Sequence, residues 1–330
     1  MQSFSRPHTV TILGFNHALS SALTGALDIF ALAGVSWQRI HGQTAQPRFH
    51  VQLASFNGLP ITCTNQLIVT PHVAIEDVRE TDLLLIPTIG GDISSVINDN
   101  QHLFIYMRKL HKLGADIAGN CTGNFLLAEA GLLDDMTATT HWGYAEQFRE
   151  RFPHVTLHED RMITNKDNVF CAGGGVAWFD LAILLIERYC GHQVATDTAK
   201  AHVMDLGRTH QSVYASTRRK KFHQDAIILS AQDYIEENYP HTITVTELAR
   251  IANMTERTFS RRFKRATDLS PGQYLQAIRL EQARKLLESS TLSLDNIVQQ
   301  VGYDDLSSFS RLFKRECGVS PSQYRSKFIR

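Results

Sequence analysis

The chemistry in this chain starts at a cysteine placed where a short apolar stretch runs into a helix. Ala115 to Gly119 reads as a buried strand, Asn120-Cys121-Thr122-Gly123 as the turn, and the residues from there to Ala130 as a helix. A strand that turns sharply into a helix presents the turn side chain and aims backbone N–H groups at the same spot, the geometry of a nucleophile elbow. Those N–H dipoles favour an anion or carboxylate and lower the pKa of a thiol. Gly90-Gly91 makes a second such turn, after the apolar run Asp82 to Pro87. Two chemistries follow. Thiol catalysis needs a base beside Cys121 and an acid to orient it. A binding pocket needs the same geometry without the base.

A second kind of chemistry is written twice near the C-terminus. Phe259 to Tyr274 reads FSRRFKRATDLSPGQY and Phe309 to Tyr324 reads FSRLFKRECGVSPSQY, with ten of the sixteen positions identical. Phe259 and Phe263, like Phe309 and Phe313, are spaced to face inward on one turn of helix. Arg257, Arg261, Lys264 and Arg265 spread over the outer face. Ser-Pro then starts another helix, with Pro where a missing N–H costs nothing. A short amphipathic helix precedes each copy: Val245 to Ala252, capped by Thr244 or Thr246, and Leu294 to Val301, capped by Ser293. Short helix, tight turn and basic helix is the helix-turn-helix plan, whose second helix enters the DNA major groove. A solvated basic surface on a helical core is the bland alternative, and it does not explain why charge and scaffold repeat together.

The elements that position these residues fall into two groups. Strands are expected at His8 to Phe15, Arg48 to Ser55, Asp82 to Pro87 and Ala115 to Gly119. Helices alternate with them from Ser20 to Val35, from Gly91 to about Lys112, and to Ala130. That alternation predicts a doubly wound α/β sheet, in which ligands sit outside the carboxyl ends of the strands. Val155 to Cys171 reads as a short antiparallel excursion turning at Asn165-Lys166-Asp167-Asn168. Gly173-Gly174-Gly175 then opens an apolar helix, Val176 to Tyr189, and a further helix runs from Gln193 to Leu206. The glycine run lacks the lysine of a phosphate loop and reads as close packing at a strand-to-helix turn. The expected boundaries are 1–206 for the sheet domain, 207–224 for a linker and 225–330 for an all-α domain of two helix-turn-helix units.

The formal charge of zero hides an asymmetry. Residues 1–217 carry 14 Lys+Arg against 20 Asp+Glu, a net of −6, and residues 218–330 carry 19 against 13, a net of +6. A basic module behind an acidic one suits a DNA backbone. With no apolar run near the ~20 residues of a membrane span and no secretory leader, a cytoplasmic protein without membrane partners is expected. The five cysteines make neither a disulfide framework nor a metal pattern, and the fifteen histidines are scattered. Cys63, Cys171, Cys190 and Cys317 are expected to pack as small hydrophobes. No metal and no cofactor are expected.

From about Ala226 to Phe328 the chain resembles the AraC/XylS transcription factors, with IVQQVGYDDLSSFSRLFKRECGVSPSQYR the most characteristic stretch and Pro271 to Ser289 as the joining helix. That resemblance implies base contacts from Arg257, Ser260 and Arg261 in the first unit and from Ser307, Ser308 and Arg311 in the second. Lys264, Arg265, Lys314 and Arg315 would lie on phosphates or pair with local acids. Asp304 and Asp305 make the second unit less favourable to DNA. Residues 8 to 190 resemble the class I glutamine amidotransferase-like superfamily in its PfpI-type branch, and IAGNCTGNFLLAEAGLLDDMTATTHW is close to the segment found in AraC-type regulators that carry such a domain. Cys121 falls on the nucleophile position and His141 on that of a nearby histidine, with Trp142 beside it.

Catalytic PfpI-type members place His directly after the cysteine, where this chain has Thr122, and a Glu on the first helix, near Ala22 here. The kit is partial. The resemblance therefore implies a non-catalytic pocket at Gly90, Gly91, Cys121, Thr122, His141 and Trp142, with no catalytic residue. Its effector would be a small metabolite, with amino acids and quaternary amines as nearest precedent. It further implies a homodimer that binds double-stranded DNA, works with RNA polymerase and activates a catabolic operon. The rival is an active cysteine hydrolase or deglycase fused to a DNA reader.

Overall fold

A computed structural model describes residues 6–205, 208, 210, 211, 214 and 223–329. The basic run Arg218-Arg219-Lys220-Lys221 and Leu206 lie outside the described residues. The chain divides into two compact units, Met1–Gln211 and Ser212–Arg330.

In the first unit, chain order gives β1 (His8–Leu13), β2 (Phe49–Ser55), a hairpin of β3 (Ile61–Thr62) and β4 (Ile68–Val69), then β5 (Val73–Ala74), β6 (Leu83–Ile86) and β7 (Asp116–Asn120). β8 (Thr137–Ala138) and β9 (Thr156–Leu157) form a small separate ribbon, and β10 (Ile163–Lys166) and β11 (Val169–Ala172) close the set. The main sheet has the order β10-β11-β7-β6-β1-β2-β5, and every neighbouring pair is parallel except β10 with β11. β6 is Leu-Leu-Leu-Ile, buried at each residue, as a parallel strand must be when helices cover both faces.

Those helices are α1 (Ser20–Leu32), α2 (Ser36–Ile40), α3 (Ile93–Asp99), α4 (Phe104–Lys112), α5 (Asn124–Glu129), α6 (Ala145–Arg151), α7 (Ala177–Cys190) and α8 (His192–Ala201). α1 buries Ala22, Leu23, Ala26, Ile29 and Phe30, the stripe of a helix lying on a sheet. It lies against α7 because Gly25 is bare: a Cβ there would stand 2.0 Å from the Trp178 ring.

Two expectations need correcting. The helix from Gly91 to Lys112 is two helices joined by a 3-10 turn; the buried Asn100 amide donates to Val96 O at 2.7 Å and helps end the first. The antiparallel excursion read at 155–171 is present with its turn, and the correction concerns only its place in the sheet. β10 and β11 are antiparallel and turn where Asp167 takes φ 55°, but β11 also pairs with β7 inside the main sheet.

The second unit is all helix: α9 (Ala226–Asn238), α10 (Val245–Ile251), α11 (Glu256–Thr267), α12 (Pro271–Ser289), α13 (Leu294–Gln300), α14 (Leu306–Cys317) and α15 (Pro321–Phe328). Side-chain caps start them where a Ser, Thr or Asp precedes: Thr244 on α10, Thr255 on α11, Ser293 on α13 and Asp305 on α14. Ser270 with Gln273, and Ser320 with Gln323, form reciprocal capping boxes with Pro at the first helical position. There are two cores. Phe259, Phe263, Tyr274 and Leu248 centre the first; Phe309, Phe313, Tyr324 and Ile297 centre the second.

Candidate functional site

β7 ends at Asn120, and Cys121 takes φ 56°, a left-handed conformation that strains a residue bearing a Cβ and is common at functional turns. The elbow read from the sequence is present. The next residues are held tightly. Gly123 would carry its Cβ 2.3 Å from Pro87 O, so only glycine lets this turn sit against the end of β6. The Thr122 hydroxyl donates to Ile89 O at 2.8 Å, and the Asn120 amide donates to the Thr88 hydroxyl at 2.6 Å.

Three further segments converge on the cysteine. The Thr140 hydroxyl donates to Cys121 O at 2.9 Å. The amides of Thr122 and Gly175 and the hydroxyls of Thr122 and Thr88 lie at the thiol. The His141 ring covers Gly174, where a Cβ would stand 2.2 Å from its Cδ2. Close packing explains Gly173 and Gly174, whose partners are Gln211 and His141 rather than the neighbouring strand, while Gly175 has open space around it and takes φ 62°. Trp142 lies 5.3 Å from His141, ring centre to ring centre, and Tyr144 lies 5.6 Å from it.

The electrostatics of this arrangement disfavour a thiolate. Burial pushes the Cys121 thiol above its ordinary pKa, outweighing the donors around it. Burial also pushes His141 below its ordinary value, which keeps the ring neutral. Its Nδ1 accepts the Gly143 N–H at 2.9 Å, so the proton of the neutral ring sits on Nε2. A ring in that tautomer offers a donor at Nε2, not a base. The position near Ala22, where catalytic PfpI-type members carry a Glu, is apolar and fully buried.

Gly90 and Gly91 line a second wall. The Gly90 N–H donates to His17 O at 2.7 Å, and a Cβ on Gly91 would meet the His17 side chain at 3.0 Å. His17 (φ 64°) also borders a cavity of about 290 Å³ at the carboxyl ends of β1 and β2, with Phe15, Asn16, Phe56, Asn100 and His102 among its lining. A larger cavity of about 570 Å³ lies at the opposite end of the strands. Its polar groups are engaged with one another: Arg188 Nε donates to Asp116 at 2.8 Å, and the Tyr189 hydroxyl donates to the same carboxylate at 2.6 Å.

In the second unit Arg257, Arg261 and Lys264 stand exposed on α11, with Ser260 half-buried between them. Ser307, Ser308, Arg311 and Lys314 are exposed on α14. The Asp305 carboxylate caps α14 through the Ser308 N–H and is held below the usual carboxylate range by hydrogen bonds from Ser308. Arg311 donates to the Ser308 hydroxyl at 3.0 Å. Of the other cysteines, Cys63 and Cys171 are buried as expected, with the Cys171 thiol pushed up to about 12 by burial. Cys190 is only half-buried, and Cys317 faces the Arg284 guanidinium at 3.0 Å rather than purely apolar neighbours.

Sequence reasoning missed the residues that tie this region together: Thr88, Thr139, His17 and above all Gln211. The two threonines lie beside turns already singled out; Gln211 carries no signal in the sequence.

A family model described as a helix-turn-helix domain matches residues 248–327, and one described as the DJ-1/PfpI family matches residues 36–188. The HTH-type transcriptional regulator CdhR of Pseudomonas aeruginosa is 29% identical over 270 residues, covering 79% of each chain. The isonitrile hydratase of Pseudomonas putida is 27% identical over 186 residues, 56% of this chain and 71% of the enzyme. The crystal structure of Drosophila melanogaster DJ-1beta, 16% identical, superposes with a TM-score of 0.51 over 60% of this chain and 99% of its own, a likeness of fold. The chain thus carries a DJ-1/PfpI domain ahead of an AraC-type helix-turn-helix domain, the make-up of a DNA-binding transcriptional regulator.

Proposed function

We propose that the first unit is a sensor without turnover, binding a small metabolite between the Gly90-Gly91 turn and the Cys121 elbow, with Thr122, His141 and Trp142 as its other walls. One observation carries this reading. The thiol is held protonated, and the nearby imidazole spends its Nδ1 on Gly143 and presents a proton at Nε2. Inward-facing N–H groups with no base suit a carboxylate or other polar ligand better than acyl transfer. The cavity of about 290 Å³ beside His17 is of amino-acid size, but none of Gly90, Gly91, Cys121, Thr122, His141 and Trp142 is among its lining. The second unit reads double-stranded DNA through Arg257, Ser260 and Arg261 on α11 and Ser307, Ser308 and Arg311 on α14, with Lys264 and Lys314 on phosphates. The family resemblance supports a cytoplasmic homodimer that activates a catabolic operon through RNA polymerase, responding to an amino acid or quaternary amine.

The resemblance to an isonitrile hydratase, together with the strained cysteine, favours a rival reading as a cysteine hydrolase. A thermal-shift screen of amino acids, quaternary amines and small carboxylates separates the two. A ligand at a hundredfold excess over its Kd adds about 2.7 kcal/mol of stability. A hit weakened by His141→Ala and not consumed over hours supports the sensor. Consumption of the hit that Cys121→Ala abolishes would establish the hydrolase.

A further inference from the structure

Gln211 is the last residue of the first unit, and the DNA-binding unit follows it in the chain. It is 2% exposed, an unusual place for the side chain of a connecting segment. Its Nε2 donates to Thr140 O at 2.7 Å, with Arg161 O at 3.1 Å and the Thr139 hydroxyl at 3.2 Å sharing its two hydrogens. Its Oε1 accepts the Gly174 N–H at 2.9 Å. Gly173 is bare because a Cβ there would meet the Gln211 amide at 2.6 Å. The main chain is tied too: Gln211 N donates to Asp160 O at 2.9 Å, and His210 makes a single bridge with Arg161.

Two of these partners, Thr140 and Gly174, are one step from Cys121. Thr140, whose carbonyl takes the Gln211 amide, gives its hydroxyl to Cys121 O. Gly174, whose N–H the Gln211 oxygen accepts, lies under His141 and precedes Gly175, whose N–H reaches the thiol. We propose that Gln211 is the positioning residue through which the state of the Cys121 site reaches the segment entering the DNA-binding unit. This rests on reading that site as an effector pocket. A buried amide with every partner made is stable, and one with partners withdrawn is costly. The latch therefore has two states, bonded and released, and a ligand that presses on Gly174–Gly175 or Thr140 biases it. By reciprocity, releasing the latch must also alter the site.

The test is a double-mutant cycle read by hydrogen exchange on the full chain, with no ligand present. Cys121→Ala removes only the thiol and keeps the Cβ that already sits at this left-handed φ; Gln211→Ala removes the latch. Each single variant is expected to speed exchange about tenfold at both the Gly174 and the residue-211 amides, and the double variant to add little beyond either. Gln211→Met, which keeps the bulk but can neither donate to Thr140 O and Arg161 O nor offer Gly174 a carbonyl, gives the same pattern and serves if the alanine variant fails to fold. Changes confined to each variant's own peptide, adding independently in the double, would overturn the proposal. That failure leaves the pocket reading standing, whereas a coupled cycle beside a blank ligand screen removes the pocket reading alone.

Discussion

The two helix-turn-helix units share one scaffold and turn different faces outward. In the first, Phe263 packs 5.5 Å from Tyr274 in an edge-on arrangement, and in the second Phe313 packs 5.4 Å from Tyr324 in the same way. The tyrosine hydroxyls bond in the same manner, Tyr274 to Glu236 and Tyr324 to Glu288. Recognition helices of equal length end in a left-handed residue, Asp268 or Gly318. The starts of the helices diverge. α11 is capped by neutral Thr255, and among the described residues no hydrogen bond or ion pair holds the side chains of Arg257, Arg261 or Lys264. α14 is capped by ionised Asp305, with Asp304 before it, and its one arginine near the start leans on Ser308. Packing repeats because both copies must bury the same two aromatic rings. The charges along the helix repeat as well, Arg261 with Arg311, Lys264 with Lys314 and Arg265 with Arg315, whereas those at its start do not: Thr255 and Arg257 stand where the second unit has Asp305 and Ser307.

The largest effects test whether the two cores are separate. Phe263→Ala and Phe313→Ala should each cost about 3–5 kcal/mol, and hydrogen exchange should rise in α10–α11 for the first and α13–α14 for the second. Equal loosening of both units by either variant would mean one cooperative core. Next comes DNA affinity. Arg257→Ala with Arg261→Ala should cost about 1–3 kcal/mol for each base that an arginine no longer reads, more than Arg311→Ala, as followed by fluorescence anisotropy at fixed salt. A smaller effect has the opposite sign: Asp304→Asn with Asp305→Thr, which copies the cap of the first unit, should tighten binding by less than about 1 kcal/mol at low salt and fade at high salt.

The smallest effect concerns acid stability. Arg262 hydrogen-bonds Asp225 at 2.6 Å and holds its carboxyl below the usual range, while the second unit has Leu312 at the corresponding position. A depressed carboxylate contributes fully above its unfolded pKa of about 3.9 and loses that contribution as pH falls through the lower folded value. Asp225→Asn should therefore lower the melting temperature at neutral pH and leave it unchanged in strong acid, followed by circular dichroism.

Much of the molecule is legible in its sequence. The repeated Phe, Ser-Pro and Gln-Tyr positions place both helix-turn-helix units because caps and apolar spacing are local properties of the chain. β6 and the Cys121 elbow can be read for the same reason: an apolar run followed by a glycine-bearing turn leaves few alternatives. What the sequence hides is long-range. β11 joins the main sheet through β7, a pairing that no local pattern encodes. The split at Asn100 depends on one side chain folding back on its own helix. Gln211 reaches residues fifty or more positions away, and glutamines of the same type lie exposed elsewhere, as Gln101 does. Close packing at Gly173 and Gly174 can be expected from the glycine run, but their partners Gln211 and His141 cannot.

The central claim is that two unequal units read DNA together, and selection of bound duplexes from a random library tests it most directly. The full-length protein should enrich two conserved blocks about one helical turn, ~10 base pairs, apart. The Arg257→Ala/Arg261→Ala variant should keep one block and lose the other. A single block with the wild-type chain, or two blocks unchanged in the variant, would contradict the account.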